Sequence, residues 1–330
     1  MKAVCYEKYG SPEVLQLREI PKPSPRKDEI LVKIRATSVT SSEAQMRQGK
    51  PYYGRLILGL TKPSRKVLGL EFAGEVVGRG SEVRKFGLGD RVFGFTGFRC
   101  GGYAQYICVP ENESVILMPG KISFEEAVAL VDGPTTALFF LNKAKIKESE
   151  KVLIYGASGS IGTAAVQIAV LQGAEVTAVC SAGNFELVKS LGAHKFIDYR
   201  TEDFTEAKDA YDVIFDTVGK TSFAKCKASL RTGGKYLVTV IGFEALAQTV
   251  LTAIWGRRKA CFSMSIDKKS ELQFIKELVE QGKHAPVIDK CFPLDRISEA
   301  HAYTDGGHKK GNVVISVSHD VPSPVGLLTK

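Results

Sequence analysis

The stretch from Val152 to Ser181, VLIYGASGSIGTAAVQIAVLQGAEVTAVCS, constrains this chain more than any other. An apolar run breaks into glycines, resumes with helical periodicity, and ends in a second apolar run. That is a βαβ unit with a glycine turn after its first strand. Gly159 lets the backbone approach a pyrophosphate, and Gly162 lets the helix pack close to the strand. The first N–H groups of the helix face the anion. Gly156, Ser158, Gly159, Ser160, Ile161 and Gly162 are therefore expected to hold a dinucleotide.

The end of the second strand selects among dinucleotides. An acid there would hold the ribose 2′-hydroxyl of NAD. The residues present are Cys180-Ser181-Ala182-Gly183-Asn184. A carboxylate repels a 2′-phosphate, whereas Ser181 and Asn184 can hydrogen-bond one, so NADP is expected. Tyr199, at the end of the next strand, reaches the same region, with Lys189 and Arg200 as sources of positive charge. Ser181 and Asn184 also read as caps of the helix NFELVKSLG.

The surrounding text alternates strand and helix from Lys151 to about Gly282. Its strands are nearly continuous apolar runs, as in a parallel sheet covered on both faces. Gly173 and Gly192 fall where helices should end. Ser123 with Glu126, and Ser270 with Gln273, read as capping boxes. Residues 1 to about 120 instead carry short apolar or alternating runs separated by glycine and proline, the pattern of a β-rich unit. Strand-like text returns after Gly282 and rejoins the first unit. The last dozen residues, from His319, read as a loose tail. The chain of 330 residues is long enough for two domains. The division expected is a discontinuous β-rich domain, 1–123 plus 285–330, with 124–284 inserted as the dinucleotide-binding domain.

Bulk properties narrow the setting. No apolar run reaches the roughly 18 residues of a membrane span, and no leader segment is recognisable, so neither a membrane nor a secreted location is expected. The seven cysteines are odd in number and none is spaced Cys-x-x-Cys, which favours a reducing, cytoplasmic compartment over disulfides or structural zinc. The net charge of +9 is spread along the chain, which speaks against nucleic acid as a main partner.

Several segments together resemble the medium-chain dehydrogenase/reductase family, in its zinc-independent quinone oxidoreductase and enoyl reductase-like branch. They are YGSPEVLQL, VLGLEFAGEV, GDRVFGF, GGYAQYICVP, GASGSIGTAAVQIA, LGAHKFIDYR, FDTVG and GHKKGNVVI. The resemblance covers about residues 1–317. It implies an α/β fold, a Rossmann-type doubly wound parallel sheet inserted in a GroES-like β-rich catalytic domain, with the active site in the cleft between them. It also implies a homodimer. Some sequences with RLILGLTKP are labelled alcohol dehydrogenases. Zinc members of the family carry a Cys and a Gly-His-Glu run; the matching positions here are near Val39-Thr40-Ser41 and Gly69-Leu70-Glu71. The first histidine is His194, so the first domain supplies no imidazole. No metal is therefore expected.

Without that Lewis acid, hydride from NADPH needs an acceptor that takes charge easily. A quinone or an α,β-unsaturated carbonyl fits; an NADP-linked alcohol dehydrogenase and a non-catalytic NADPH-binding protein are the alternatives. Hydride addition to an enone leaves an enolate oxygen that needs a donor. By resemblance, Thr40 stands where the family commonly has Asn, and Tyr52 or Tyr53 where enoyl reductases have a donor tyrosine; all three also read as local backbone or apolar loop contacts. At the cofactor's nicotinamide end the resemblance points to Lys310 and Asn312, with His308 and Lys309 read as a solvated turn. Val218, Ile241 and Gly242 fall at strand ends along the cofactor. Glu71 reads as a carboxylate held by hydrogen bonds at the cleft wall, His194 and His301 as structural. The apolar segment 243–256 reads as a cleft cover or a dimer contact.

Overall fold

The computed structural model describes residues 1–240, 242–263, 265 and 267–319. Ile241 and residues 320–330 lie outside the described residues. Six parallel strands form one sheet in the order Lys195–Asp198, Glu175–Cys180, Lys151–Tyr155, Tyr211–Asp216, Leu230–Val238, Lys259–Phe262. The chain starts in the middle, winds to one edge, then returns to wind to the other. This is the doubly wound order, and its switch point lies between Lys151–Tyr155 and Tyr211–Asp216.

The apolar runs behave as strands buried on both faces. Val152, Ile154, Val213 and Phe215 enter one core with the helices Asp132–Ala144, Ser160–Leu171 and Lys269–Glu280. Leu153 and Ile214, one residue out of phase, enter a second core with Phe223 and Tyr236. Successive side chains of a strand point to opposite faces, so continuous apolar text is what two covered faces require.

A second, seven-stranded sheet is built around the long strand Glu29–Val39. It pairs with Glu71–Arg79 and Tyr106–Pro110. The returning strand Asn312–Ser316 completes it, antiparallel to Glu29–Val39 and parallel to Ile288–Pro293. Just before that strand, the chain crosses the glycine loop. Gly311 N–H donates to Ser158 O at 2.8 Å, and the Ser160 hydroxyl donates to Asn312 Oδ1 at 2.6 Å. Asn312 Nδ2 donates to Val287 O at 3.0 Å and to Ala129 O at 3.3 Å.

Local signals met mixed outcomes. The Ser123–Glu126 box forms in both directions. Gly173 and Gly192 lie just past helix ends with φ +80 and +98. The Ser270–Gln273 box does not form: Ser270 Oγ bonds Glu271, and Gln273 bonds Glu277. The helix starts two residues earlier than that box would set it, at Lys269 with Lys268 as its N-cap, because Lys268 is drawn into the interior and fixes the entering backbone. His319 is not loose; its ring packs edge-on to Tyr106 and Nε2 meets Ile34 O at 2.6 Å. Segment 243–256 contains the helix Phe243–Trp255, which is tied to the strand Lys259–Phe262 by Thr249 and Thr252 hydroxyls.

The sharpest packing constraint is at Gly162. A Cβ there would lie 2.1 Å from Gly156 O and 2.7 Å from Ala157 Cα. Backbone cannot yield as a side-chain tip does. Gly162→Ala is therefore expected to destabilise the protein by about 1–3 kcal/mol, read as a lower urea midpoint with unchanged slope. Wild-type stability in that variant would show that the helix is free to move off the strand.

Candidate active site

The glycine loop sits at the switch point. Gly159 is the N-cap of the helix Ser160–Leu171, and no side chain caps it. A Cβ on Gly159 would meet only Gly156 O, at 3.5 Å, so its own fold leaves the space in front of it open. The first turn's N–H groups are left for an outside anion. Neighbouring strand ends line the same groove. Val218 lies over Gly156, where a Cβ would strike Val218 Cγ2 at 2.1 Å, and Gly219 lies against Val240. Gly242 is the N-cap of the next helix, with nothing near its missing Cβ.

At the second strand end, Asn184 Nδ2 donates to Ser158 Oγ at 3.0 Å and to Ser181 Oγ at 3.1 Å. Asn184 thus ties the glycine loop to the strand end; it does not cap its helix through its side chain. The acid in this region is one strand over. Asp198 accepts Ala182 N–H at 3.1 Å and is gripped by Arg200 through Nε at 3.0 Å and Nη2 at 2.8 Å. Those bonds hold its carboxyl well below the ordinary range and leave Arg200 half-exposed beside Ser181 and Tyr199. Lys189 is exposed.

A buried polar cluster, mostly not anticipated, lies between the sheets. The ammonium of Lys268, 1% exposed, donates to Asp132 Oδ1 at 2.7 Å, Thr135 Oγ1 at 3.0 Å and Thr136 Oγ1 at 2.9 Å. It also sits 4.8 Å from the centre of the Phe95 ring. Asp132 and both threonines belong to the first turns of the helix Asp132–Ala144. Glu71 is held through Oε2 by the Ser38 hydroxyl, while Oε1 is buried with no hydrogen-bond partner among the described residues. Burial, then the charges of Asp132 and Glu43, push the Glu71 carboxyl well above its usual range.

Thr40 caps the helix Ser41–Gln48. Its Oγ1 accepts Glu43 N–H at 3.2 Å, and Glu43 Oε2 accepts Thr40 N–H at 2.7 Å. The Thr40 hydroxyl also bonds the Glu43 carboxylate, which helps to lower that group. Glu43 Oε1 reaches on to Leu70 N–H at 2.7 Å, fixing the strand entry next to Glu71. Tyr52 is exposed with its ring 5.0 Å from the Arg55 guanidinium, and Tyr53 is exposed on the same turn. Neither tyrosine is drawn into the buried cluster.

The returning segment also differs from expectation. Lys310 is exposed, and its backbone N–H is bound by Asp289 at 2.9 Å. Asn312 spends its amide on protein atoms, as a staple between sheets. The lysine that turns inward is Lys309, whose amine donates to Gly311 O at 2.7 Å. Its stem is half-buried, but its amine is enclosed, and that burial lowers it to about 8 against the pull of Asp132, Glu71 and Asp289. His194 accepts Val176 N–H, and His301 is buried against Tyr103 OH at 3.0 Å, both structural positions. A pocket of about 230 Å³ opens beside Phe95, lined also by Arg65, Thr96, Phe98, Arg99 and Ser114.

The comparisons agree with this architecture. Residues 26–120 match the alcohol dehydrogenase GroES-like domain, and 191–315 the zinc-binding dehydrogenase domain. A chloroplastic quinone oxidoreductase of Triphysaria versicolor is 32% identical, over 96% of this chain and 98% of its own. A chloroplastic NADPH-dependent alkenal/one oxidoreductase of Arabidopsis thaliana is 30% identical, over 96% of this chain and 79% of its own. The solved quinone oxidoreductase of Coxiella burnetii superposes with a TM-score of 0.88 at 31% identity, over 96% of this chain and 99% of its own. The chain belongs to the medium-chain dehydrogenase/reductase family, a family of nicotinamide-dependent oxidoreductases. Among the described residues, no three His, Cys, Asp or Glu side chains are grouped to hold a metal ion, and no helix is long and apolar enough to cross a membrane.

Glu43 gives a pH signature. Burial raises its carboxyl from the ordinary 4.5 to about 7, against the Thr40 and Leu70 hydrogen bonds that lower it. A raised folded-state pKa contributes stability that is complete below pH 4.5 and is lost as pH rises to 7. The loss is about 3 kcal/mol by linkage. In urea unfolding between pH 5 and 7, Glu43→Gln is expected to lack this component of the slope. Equal slopes for variant and wild type would show that Glu43 ionises normally.

Proposed function

We propose that the protein reduces a quinone or an α,β-unsaturated carbonyl with NADPH, without zinc. The observation that carries the cofactor choice is the cradle of Ser158, Ser181 and Asn184 beside the open helix N-terminus at Gly159, where the nearby Asp198 is taken up by Arg200. Hydroxyl and amide groups there suit a 2′-phosphate, and Arg200 and Tyr199 stand at its rim. Gly156, Ser160, Ile161, Gly162, Val218 and Gly242 would line the pyrophosphate and nicotinamide path; Ile241, assigned with them, lies outside the described residues. Asn312 serves that path by holding Ser160, and Lys310 faces its outer side.

When bound, NADPH supplies the hydride. The chain's own residues orient the acceptor and stabilise the charge it takes up. Thr40, whose hydroxyl would turn from Glu43 to the substrate, is the first candidate donor to the developing oxyanion, and Tyr52 and Tyr53 are the candidates on the adjoining turn. The absence of imidazole and thiolate at Thr40 and Leu70 supports chemistry without metal. The names of the relatives support the same acceptor classes.

We also keep the division 1–123 plus 285–330 and 124–284, supported by the two separate sheets. A homodimer is supported by the apolar face of Leu246, Val250 and Ile254, each more than half exposed, beside the sheet's edge strand Lys259–Phe262. Ile254→Glu is expected to convert a dimer to a monomer in sedimentation velocity; a wild-type monomer would reject the assembly.

The test of function is NADPH oxidation by the pure protein with a panel of quinones and 2-enals, with NADH and with chelator in parallel. Turnover is expected with NADPH and is expected to survive chelation. Ser181→Asp is expected to raise KM for NADPH at least 10-fold with little change for NADH. Loss of activity with chelator would sink the metal-free reading, and an unchanged cofactor preference in Ser181→Asp would sink the 2′-phosphate assignment.

A further inference from the structure

Reduction of an enone needs a proton as well as a hydride, and Thr40 only steadies the oxygen. The proton must come from a group that reaches the cleft, is protonated at neutral pH, and releases its proton readily. Lys268 is committed to Asp132, Thr135 and Thr136. Glu71 is enclosed and paired with Ser38. Tyr52 is turned outward against Arg55. Lys309 alone among these has an enclosed ammonium whose one partner among the described residues is neutral, the carbonyl of Gly311.

Its position is set by the crossing of the two domains. Two residues beyond it, Gly311 is bonded to Ser158 of the glycine loop. The ammonium therefore hangs between the cofactor groove and the Glu71–Asp132 cluster. The charged groups whose fields reach it are Asp132 from the helix Asp132–Ala144, Glu71 from the strand Glu71–Arg79, and Asp289 from the strand Ile288–Pro293. Asp132 is already matched by Lys268, and Asp289 by Tyr303 OH and Lys310 N–H. Neighbouring Lys310 and His308 are exposed.

We propose that Lys309 is the acid that protonates the substrate after hydride has been added, a role that rests on the reductase reading above. Hydride forms the new C–H bond at the β-carbon, and the alkene pair becomes the enolate. The N–H bond of the Lys309 ammonium then breaks, its proton bonds to the α-carbon, and the amine regains a proton from water. For a quinone, the same proton goes to the ring oxygen and gives the hydroquinone. One hydride and one proton are consumed per turnover, so the step balances. An amine that titrates near 8 holds its proton at neutral pH and gives it up easily, as an acid catalyst must.

The test uses Lys309→Met and Lys309→Arg in the full chain, with the quinone or 2-enal that wild type turns over best. For wild type, kcat is expected to fall as pH rises through about 8, because the ammonium is lost. Lys309→Met is expected to lose roughly 100-fold in kcat and that alkaline limb, to show a larger solvent isotope effect, and to bind NADPH as wild type does by fluorescence titration. Lys309→Arg is expected not to recover the rate, since a guanidinium keeps its charge but is a poor acid. Recovery by Arg would show that a fixed charge suffices and overturn the proposal. Weakened NADPH binding with unchanged kcat would make Lys309 a cofactor clamp and overturn it too. Should Lys309→Met not fold, a wild-type kcat flat from pH 7 to 9.5 decides against the proposal, and an alkaline fall matched by an NMR titration of ¹³C-methylated Lys309 near 8 decides for it. NADPH binding without turnover of any acceptor by wild type would instead sink the reductase reading itself.

Discussion

The contact on which this molecule depends is the crossing of residues 309–312 over the glycine loop. Gly311 shares a backbone bond with Ser158, and Asn312 joins Ser160, Val287 and Ala129 through one amide. One apolar core runs between the two sheets, joining Ala36, Ala73, Phe93 and Val314 of the second sheet to Val152, Ile154 and Phe215 of the first. Apolar packing is non-directional, and this staple adds directional bonds to it. It also crowds the loop to the point where Gly311 has no room for a side chain, its absent Cβ lying 2.3 Å from Val287 O. The groove for an anion and the wall of the cleft are thus made by the same few atoms.

Charge is buried where the sheets meet, and burial of charge requires partners. Lys268 has them in Asp132 and two threonine hydroxyls. Glu71 has one, and its second oxygen has none among the described residues, so the carboxyl answers by holding its proton. Glu43 answers similarly while clasping Thr40 and Leu70. Farther in, His301 is kept neutral, its imidazole lowered to about 3 by burial and by Arg47, whose own Nη2 reaches Asp305 at 2.5 Å. A surface of this kind, with protons retained on acids and one lysine eased toward release, suits proton-coupled chemistry in a water-poor cleft. It also makes the domain contact selective, since a misaligned approach would leave Lys268 unpaired.

Much of the site was legible from local text because its chemistry is local. The spacing of Gly156, Gly159 and Gly162 encodes a backbone approach that no larger residue permits. Ser181 and Asn184 stand at the end of the second strand, and Asn184 ties that end to the glycine loop through Ser158. The Thr40-x-x-Glu43 pattern is a capping box that local text carries, and the structure forms it in both directions. Asp132, an acid within an apolar run, was a weaker signal. Lys268 and Lys309 gave none: each sits in a polar, lysine-rich stretch that reads as solvated, beside Lys269 and Lys310, which are indeed partly or largely exposed.

The doubly wound order came with the family resemblance; the sequence alone determined the classes of element, a parallel sheet covered on both faces and the return of the chain to its first domain. These follow from periodicity and glycine geometry over short spans. Only the tertiary structure decided which lysine of each adjacent pair turns inward. A one-residue difference along the chain rotates a side chain from solvent to interior, and composition does not record it. The inward choice is made by what waits there: Asp132 with Thr135 and Thr136 for Lys268, the Gly311 carbonyl within reach of Glu71 for Lys309. The partners of Lys268 come from a segment more than a hundred residues away, and the Gly311 carbonyl beside Lys309 is held by that residue's own bond to the glycine loop, so the folded crossing of the two domains sets both.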